Sequence, residues 1–285
     1  MTTHDPAAAE AGPLLRVEDV HVEFGGVRAV DGASLVVGRG SLLGLIGPNG
    51  SGKSTLLNAI SRLTDLSSGQ LFMDGEDYTR LPAYRATAMG ISRTFQTVRL
   101  LSTMSVLQNV MIGAATRAVQ ASAVGNWLLV ARNRSGERHA REQAEAALER
   151  VGMQDFARSF PQDLPYGRQR KVEIARALAS DPKLLLLDEP TAGMSHAERN
   201  EVGEVMMELN AAGLTQLLVE HDLAMIHRVC SHAVAVNFGR VIAEGTPHEV
   251  ASDPQVREAY MGHGAVGVAA AATGSAAGST AGRDS

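Results

Sequence analysis

The alternation of apolar and polar residues predicts several short strands in the first third of the chain. Residues 14–24 carry apolar side chains at mostly alternating positions, as a strand with one buried face does. Residues 35–37 and 41–46 predict two strands joined by a Gly-Arg-Gly turn, and residues 70–73 predict another that an Asp-Gly turn closes. Residues 53–62 have helical spacing and predict a helix between these strands.

The middle of the chain predicts helices instead. Residues 137–151 repeat apolar side chains along one helical face and precede Gly152, a typical residue after a helix C-terminus. Residues 168–179 predict a second helix, which Ser-Asp-Pro ends, whereas residues 113–134 indicate a long linker. We therefore expect a helical subdomain at about residues 97–179.

Strand signals return after this helical segment. Residues 184–187 are four consecutive leucines, typical of a strand covered on both faces, and residues 217–219 predict a neighbouring strand. Residues 233–236 and 240–244 flank Gly239 and predict a terminal hairpin. The alternation of strands and helices predicts a mainly parallel α/β sheet into which the helical segment is inserted.

These patterns predict one domain over residues 14–262, with a core formed by residues 14–96 and 180–262. The two ends, residues 1–13 and 263–285, are rich in small residues and predict a disordered leader and tail. The leader lacks the basic and apolar regions of a signal peptide.

Composition and charge narrow the classes of function. The formal net charge is −5 and the basic residues are scattered, so nothing predicts a surface for nucleic acid. The single cysteine, Cys230, cannot form an internal disulfide, and we expect it to pack in the core of a protein from a reducing compartment. No run of about 18 apolar residues predicts a transmembrane helix, so a role at a membrane would need other chains to cross the bilayer.

A glycine-rich segment between a predicted strand and a predicted helix fits the phosphate-binding pattern G-x-x-x-x-G-K-[ST]. Gly50 and Gly52 let the chain curl so that backbone N–H groups converge on phosphate oxygens. Lys53 is expected to bridge the β- and γ-phosphates, and Ser54 to bind Mg²⁺. The predicted ATP-binding residues of this loop are Gly47, Pro48, Asn49, Gly50, Ser51, Gly52, Lys53, Ser54 and Thr55.

Two acids follow the leucine run, where the C-terminal end of a parallel strand presents ligand-binding groups. Asp188 is the candidate for the Mg²⁺ side of the site, and Glu189 is the candidate general base that positions water. Together with the glycine-rich loop, this pair predicts ATP hydrolysis.

The order of these motifs resembles that of ABC-type ATPases over roughly residues 14–262. Between the loop and the acids lie Gln96 and the segment Leu-Pro-Tyr-Gly-Arg-Gln at 164–169, and His221 follows. The resemblance implies an α/β fold with a P-loop NTPase (RecA-like) core, an N-terminal antiparallel β subdomain and an inserted α-helical subdomain. It also implies a head-to-tail dimer with two ATP molecules at the interface.

The same resemblance assigns further residues. It implies that Gln96 reaches Mg²⁺ and the attacking water, that His221 contacts the γ-phosphate and that Phe24 stacks on adenine. Together with Lys53 and Glu189, Gln96 and His221 make up the expected catalytic set.

The segment at 164–169 departs from the common Leu-Ser-Gly-Gly-Gln, since Pro165 and Tyr166 replace the serine and the first glycine. We expect Tyr166, Gly167 and Gln169 to contact the ATP of the partner subunit through backbone donors and a helix N-terminus. Ser195 stands where many relatives have Asp, although its hydroxyl can still form hydrogen bonds.

These departures and the segment 91–96 (Ile-Ser-Arg-Thr-Phe-Gln) resemble the ATPases of branched-chain amino-acid importers. That resemblance implies a second ATPase subunit, identical or different, two membrane permeases and, indirectly, a substrate-binding protein. It implies a location on the cytoplasmic face of the cell membrane and no nucleic-acid partner. Urea or amide import, lipopolysaccharide export and a soluble, non-transport ABC ATPase stay open as alternatives.

Overall fold

The computed structural model describes residues 12–121 and 134–261. The strands are β1 (Leu15–Phe24), β2 (Val27–Val37), β3 (Leu42–Ile46), β4 (Ser68–Met73), β5 (Glu76–Asp77), β6 (Ile91–Arg93), β7 (Leu184–Asp188), β8 (Thr215–Val219), β9 (His232–Asn237) and β10 (Arg240–Gly245). The helices are α1 (Lys53–Ile60), α2 (Ala83–Ala88), α3 (Val106–Ala121), α4 (Arg134–Arg150), α5 (Tyr166–Leu178), α6 (His196–Ala211), α7 (Leu223–Val229) and α8 (Pro247–Ser252). Residues 254–261 are also helical.

The amino-terminal strands form an antiparallel sheet in the order β2-β1-β4-β5. The leucine and valines of β1 are buried, whereas its polar residues and the terminal Phe24 are not, which confirms the strand predicted from alternation. The strand predicted at 35–37 is only the end of β2, which begins at Val27. Residues 27–33 were missed because their apolar and polar residues do not alternate, and they become a strand by pairing with β1.

The second sheet has the order β10-β9-β3-β8-β7-β6, and its members from β9 to β6 run parallel. All four leucines of β7 are fully buried, as expected for a strand covered on both faces. Since β3, β8 and β7 are neighbours, the segments that follow them leave the sheet at one edge. The predicted α/β fold with a mainly parallel sheet is confirmed.

Helices α3, α4 and α5 pack together beside this sheet, through fully buried residues such as Val110, Leu148 and Val172. The linker predicted at 113–134 is wrong in its first part, because α3 continues to Ala121. The absence of a side chain at Gly113 lets α3 pack closely on α5. At Gly113 the two backbones meet, since a Cβ there would lie 1.9 Å from the carbonyl oxygen of Arg176.

Helix α5 begins at Tyr166, two residues before the predicted start. Pro165 occupies the position directly before the helix. The N–H groups at a helix start have no intrahelical acceptor, so a proline, which lacks an N–H, costs the helix no hydrogen bond there. Tyr166 and Gly167 therefore belong to the first turn of the helix.

Cys230 is buried, as expected, and burial raises the pKa of its thiol. Among residues 12–121 and 134–261, no helix has both the length and the apolar character needed to span a bilayer. The predicted tail and residues 1–11 of the predicted leader lie outside the described residues.

We expect Gly113→Ala to lower the free energy of unfolding by about 1–3 kcal/mol, because the added methyl group pushes α3 away from α5. Gly203→Ala in α6 is a matched control: its methyl would lie 3.4 Å from Met225 Sδ, an ordinary contact. Helix propensity then predicts a gain of up to about 1 kcal/mol for the control. Urea unfolding followed by circular dichroism measures both, and an unchanged Gly113→Ala protein would contradict the close packing.

Candidate active site

The glycine-rich loop joins β3 to α1 and lies against the main chain of two other strands. Gly47 has φ 153° and Gly52 has φ 103°, values that favour glycine. A Cβ at Gly47 would lie 2.1 Å from the carbonyl oxygen of Val236, and one at Gly52 would lie 2.3 Å from that of Ala29. The loop borders a cavity of about 300 Å³ lined by Ala29, Asn49, Gly50, Ser51, Gly52, Lys53, Ser54, Thr55, Gln96 and Glu189.

Lys53, the first residue of α1, supplies a buried positive charge to this loop. Its ammonium group donates to the carbonyl oxygens of Gly47 at 2.7 Å and Pro48 at 2.9 Å. Burial lowers the pKa of Lys53, and the nearby carboxylates of Glu189 and Asp188 oppose that change. An anion bound in the loop would act in the same direction as these carboxylates, so the site is arranged to attract phosphate.

Asp188 ends β7 and is held by a buried ion pair. Its Oδ2 accepts a hydrogen bond from Arg93 Nη2 at 2.8 Å, and both side chains are nearly inaccessible to solvent. Arg93 Nη1 also donates to Asn58 Oδ1 at 2.6 Å and Ser61 Oγ at 3.1 Å. No sequence motif predicted a role for Arg93. It lies beside Asp188 because β6, which carries it, pairs with β7.

The residues at this edge fit a divalent cation. Oδ1 of Asp188 is buried and, among the described residues, has no hydrogen-bond partner. Ser54 is exposed in the first turn of α1, and Gln96 lines the same cavity. Oxygen ligands of this kind are those that Mg²⁺ prefers.

Glu189 lies where three predicted residues from distant parts of the chain meet. Its Oε2 accepts a hydrogen bond from Gln96 Nε2 at 3.2 Å and lies 3.9 Å from Nδ1 of His221. Glu189 has φ 43°, an uncommon left-handed conformation, and its N–H donates to the carbonyl oxygen of Val219 at 3.0 Å. This conformation turns the chain out of the sheet directly after Asp188, and such strain is frequent at functional sites. The structure therefore brings Gln96, Glu189 and His221 together beside the loop of Lys53.

Glu220 is a second buried carboxylate at this edge, and it belongs to none of the motifs found in the sequence. Its Oε1 accepts hydrogen bonds from the N–H and the hydroxyl of Thr191, at 3.2 and 2.6 Å. Its Oε2 is buried and has no hydrogen-bond partner within the described part of the chain, and it lies 3.9 Å from His221 Nδ1. Glu220 thus fixes the loop that follows Glu189. The signal for it was an acid directly after the buried strand β8.

The segment predicted to act in trans does not line the cavity of its own chain. Tyr166 is partly exposed, and Gln169 Nε2 donates to the carbonyl oxygen of Leu164 at 2.9 Å. The N–H of Gly167 donates to Oε1 of Glu198 at 3.2 Å. In the single chain, therefore, a carboxylate already accepts from the glycine amide that was predicted to face a phosphate.

Two further predicted residues lie apart from the cavity. Ser195 caps helix α6: its Oγ donates to Glu198 Oε2 at 2.8 Å and accepts from the Glu198 N–H at 3.4 Å. This local role accounts for a serine at that position. Phe24 ends β1 with about half of its surface exposed and is not among the residues that line the phosphate cavity, so its contact with adenine stays a prediction.

A phosphate-binding loop after the buried strand β3, with an acid pair after the parallel strand β7 two positions along the same sheet, defines a P-loop ATPase. Comparison of the sequence with models of known protein families agrees with this class. The chain belongs to the ABC transporter family, since the model described as "ABC transporter" matches residues 30–192. A second model, described as "Branched-chain amino acid ATP-binding cassette transporter", matches residues 240–266.

Relatives with similar sequences extend over most of the chain. The high-affinity branched-chain amino acid transport ATP-binding protein BraF of Pseudomonas aeruginosa is 35% identical over 88% of this chain and 98% of its own length. The corresponding protein LivG of Escherichia coli is 34% identical over the same fractions.

Solved structures give the same result. The ADP conformation of MJ1267, an ATP-binding cassette of an ABC transporter, superposes with a TM-score of 0.77 and 34% identity, over 88% of this chain and 99% of that one. The dimeric ATP-binding cassette MJ0796 bound to ADP and Pi superposes with a TM-score of 0.68 and 25% identity, over 82% and 98%. The chain is an ABC-type ATPase.

The buried Glu220 predicts a pH effect on stability. Burial raises the pKa of Glu220 above its ordinary value of 4.5, although the hydrogen bonds from Thr191 oppose the rise. As pH increases above that value, the unfolded chain loses this proton before the folded chain does, so folding becomes less favourable. We expect wild-type stability to fall relative to Glu220→Gln between pH 5 and pH 8.

Urea unfolding of both proteins at the two pH values measures this difference. Glu220→Gln keeps an acceptor for Thr191 but cannot ionise, so any cost of its buried amide is independent of pH. A constant difference between the two proteins would show that Glu220 does not titrate in this range.

Proposed function

We propose that this chain is the ATP-hydrolysing subunit of an importer for branched-chain or other hydrophobic amino acids. The observation that supports hydrolysis is the cavity that Lys53, Gln96 and Glu189 line together. The transported class is supported by the match of residues 240–266 and by the names of the relatives.

The proposed chemistry is in-line attack of water on the γ-phosphate. Glu189 takes a proton from the water, whose oxygen bonds to phosphorus while the bond between the γ-phosphorus and the bridging oxygen breaks, leaving ADP and phosphate. Gln96 orients the water from its position beside Glu189, and His221 contacts the γ-phosphate. Lys53 balances charge on the β- and γ-phosphates. Ser54, Gln96 and Asp188 would hold Mg²⁺, and the bound cation would neutralise phosphate charge.

Each site is proposed to be completed by a second ATPase subunit, identical or different, in a head-to-tail dimer. Tyr166, Gly167 and Gln169 would face the nucleotide of the partner subunit, because they lie at the start of α5 and not in the cavity of their own chain. The amide of Gly167 would then leave Glu198 and donate to phosphate.

Two permeases are the proposed membrane partners, and they would hold the chain on the cytoplasmic face of the membrane, with a substrate-binding protein acting through them. A groove of about 300 Å³ between β6 and helices α3 and α5 suits a short permease segment. Leu63 and Ile112 line this groove and are 54% and 38% exposed, so each offers apolar surface to such a segment.

Purification of the tagged chain from native membranes tests this assignment. Recovery of two permeases and a second ATPase, followed by ATP-dependent uptake of leucine, isoleucine or valine by the reconstituted complex, is the expected result. Uptake of urea or amides, or association with a lipopolysaccharide export complex, would replace the substrate class. Recovery without any membrane protein would favour a soluble ABC ATPase.

Replacing the proposed base separates binding from chemistry. We expect Glu189→Gln to bind ATP with wild-type affinity and to lose about 10²-fold or more in kcat, because the amide cannot accept the proton of water. Nucleotide binding measured by fluorescence and phosphate release measured over time give the two quantities. In contrast, Lys53→Ala is expected to lose binding itself. Full turnover by Glu189→Gln would remove Glu189 from the role of base.

If the groove binds a permease, a charge in its wall should weaken that binding. Leu63→Glu places a charge on its exposed apolar wall, so we expect loss of permease recovery while ATP affinity stays unchanged. Val36→Glu is the matched control, since Val36 is 47% exposed on β2 and does not line the groove. Equal recovery of permeases with both variants would place the docking surface elsewhere.

A further inference from the structure

Helix α5 contains an arginine whose side chain is completely buried, Arg170. Its Nη1 donates to the carbonyl oxygen of Phe95 at 2.5 Å and to Glu173 Oε2 at 2.8 Å. Its Nη2 donates to the carbonyl oxygen of Gln96 at 2.6 Å. One guanidinium group therefore holds two consecutive peptide units of the segment that carries Gln96.

Glu173, one turn further along α5, extends this contact. Its side chain is also fully buried, and its Oε1 accepts hydrogen bonds from the N–H of Arg99 at 2.8 Å and from Arg176 Nη2 at 3.2 Å. Arg176 Nη1 donates to the carbonyl oxygen of Arg99 at 2.6 Å. Residues 170, 173 and 176 lie on one face of α5, so this face fixes the main chain of residues 95–99 at both ends.

The sheet does not hold this segment. Its last backbone link to the sheet is the hydrogen bond from the Thr94 N–H to the carbonyl oxygen of Leu186, at 2.9 Å. Residues 95–100 have no regular secondary structure. Beyond Thr94, the main chain that carries Gln96 is held by side chains of α5.

Stability alone is a weak reason for such a buried pair. Removing two charges from water costs free energy that apolar side chains of the same size would not cost. A guanidinium fork does, however, fix the direction of two carbonyl groups, which apolar packing cannot do. The contacts fit a role in positioning.

We propose that Arg170 and Glu173 are a positioning pair that fixes the Gln96 main chain to α5, so that the Gln96 amide reaches Glu189. Because α5 also begins with Tyr166 and Gly167, the segment facing the partner nucleotide and the amide beside Glu189 move as one unit. This inference rests on the proposed function, in which Gln96 and Glu189 act on the attacking water.

The test is a kinetic double-mutant cycle on the full chain, with Arg170→Lys, Gln96→Ala and the double variant. Lysine keeps the charge but lacks the planar fork of donors that holds both carbonyl groups, so the Gln96 main chain loses its anchor. We expect the misplaced Gln96 to lower kcat about tenfold. The KM for ATP should stay within about twofold, because the loop of Lys53 is untouched. In the Gln96→Ala background, Arg170→Lys should cause no further loss of kcat.

Arg62→Lys is the matched control. Arg62 is another nearly buried arginine, whose Nε donates to the carbonyl oxygen of Leu81 at 2.9 Å, and it does not contact residues 95–99. This variant is expected to lose stability while kcat stays at the wild-type value. Melting temperatures of all variants separate general destabilisation from the kinetic effect.

Glu173→Gln is a second test if Arg170→Lys fails to fold, because it keeps an acceptor for the Arg99 N–H. It should lower kcat, leave KM unchanged and have no effect in the Gln96→Ala background. Two outcomes would overturn the positioning pair and leave the proposed function intact. In one, Arg170→Lys or Glu173→Gln lowers kcat by the same factor with and without Gln96→Ala. In the other, Arg170→Lys and Glu173→Gln both keep the wild-type kcat. Wild-type kcat in Gln96→Ala would instead remove the role of Gln96, and with it the basis of this inference.

Discussion

The close approach of the loop after β3 to the main chains of β2 and β9 is the constraint on which the site depends. No side chain fits at Gly47 or Gly52, where a Cβ would lie 2.1 or 2.3 Å from a carbonyl oxygen. This contact joins the antiparallel sheet to the parallel one. It also directs the first turn of α1, and with it Lys53, toward the cavity at the edge of the parallel sheet. The edge is shared by β7 and β8, so the acids that follow those strands meet the loop without any long-range adjustment of the chain.

Buried charge at this edge is balanced by a small number of specific contacts. Arg93 holds one oxygen of Asp188, and Thr191 holds one oxygen of Glu220, while the second oxygen of each acid is buried without a hydrogen bond among the described residues. Such groups cost free energy unless a ligand or proton satisfies them. Buried, unpaired carboxylate oxygens suit an ATP site, because fixed and poorly solvated protein groups interact most strongly with a cation or a phosphate.

Helix α5 connects three surfaces that the proposed function uses. Its start carries Tyr166 and Gly167, its buried face holds the segment of Gln96, and Arg176 lines the groove proposed for a permease. Phe95 lines the same groove, and the next residue donates to Glu189. A displacement of α5 therefore changes the groove and the surroundings of Glu189 together, which is the physical requirement for coupling hydrolysis to a membrane partner.

The sequence by itself determined the features that depend on local chemistry. The glycine pattern around Lys53, the buried leucine strand before Asp188 and the alternation in β1 each follow from short segments, and they predicted the α/β class and the phosphate loop. Residues 27–33 and the stretch of α3 that begins at Gly113 were not predictable in this way, because pairing with β1 stabilises the former and the close approach of Gly113 to α5 fixes the start of the latter. Only the tertiary structure placed Arg93 and Glu220 beside the site and Arg170 against the segment of Gln96. Each acts on a residue or segment 29 or more positions away in the chain, and no local pattern encodes such a contact.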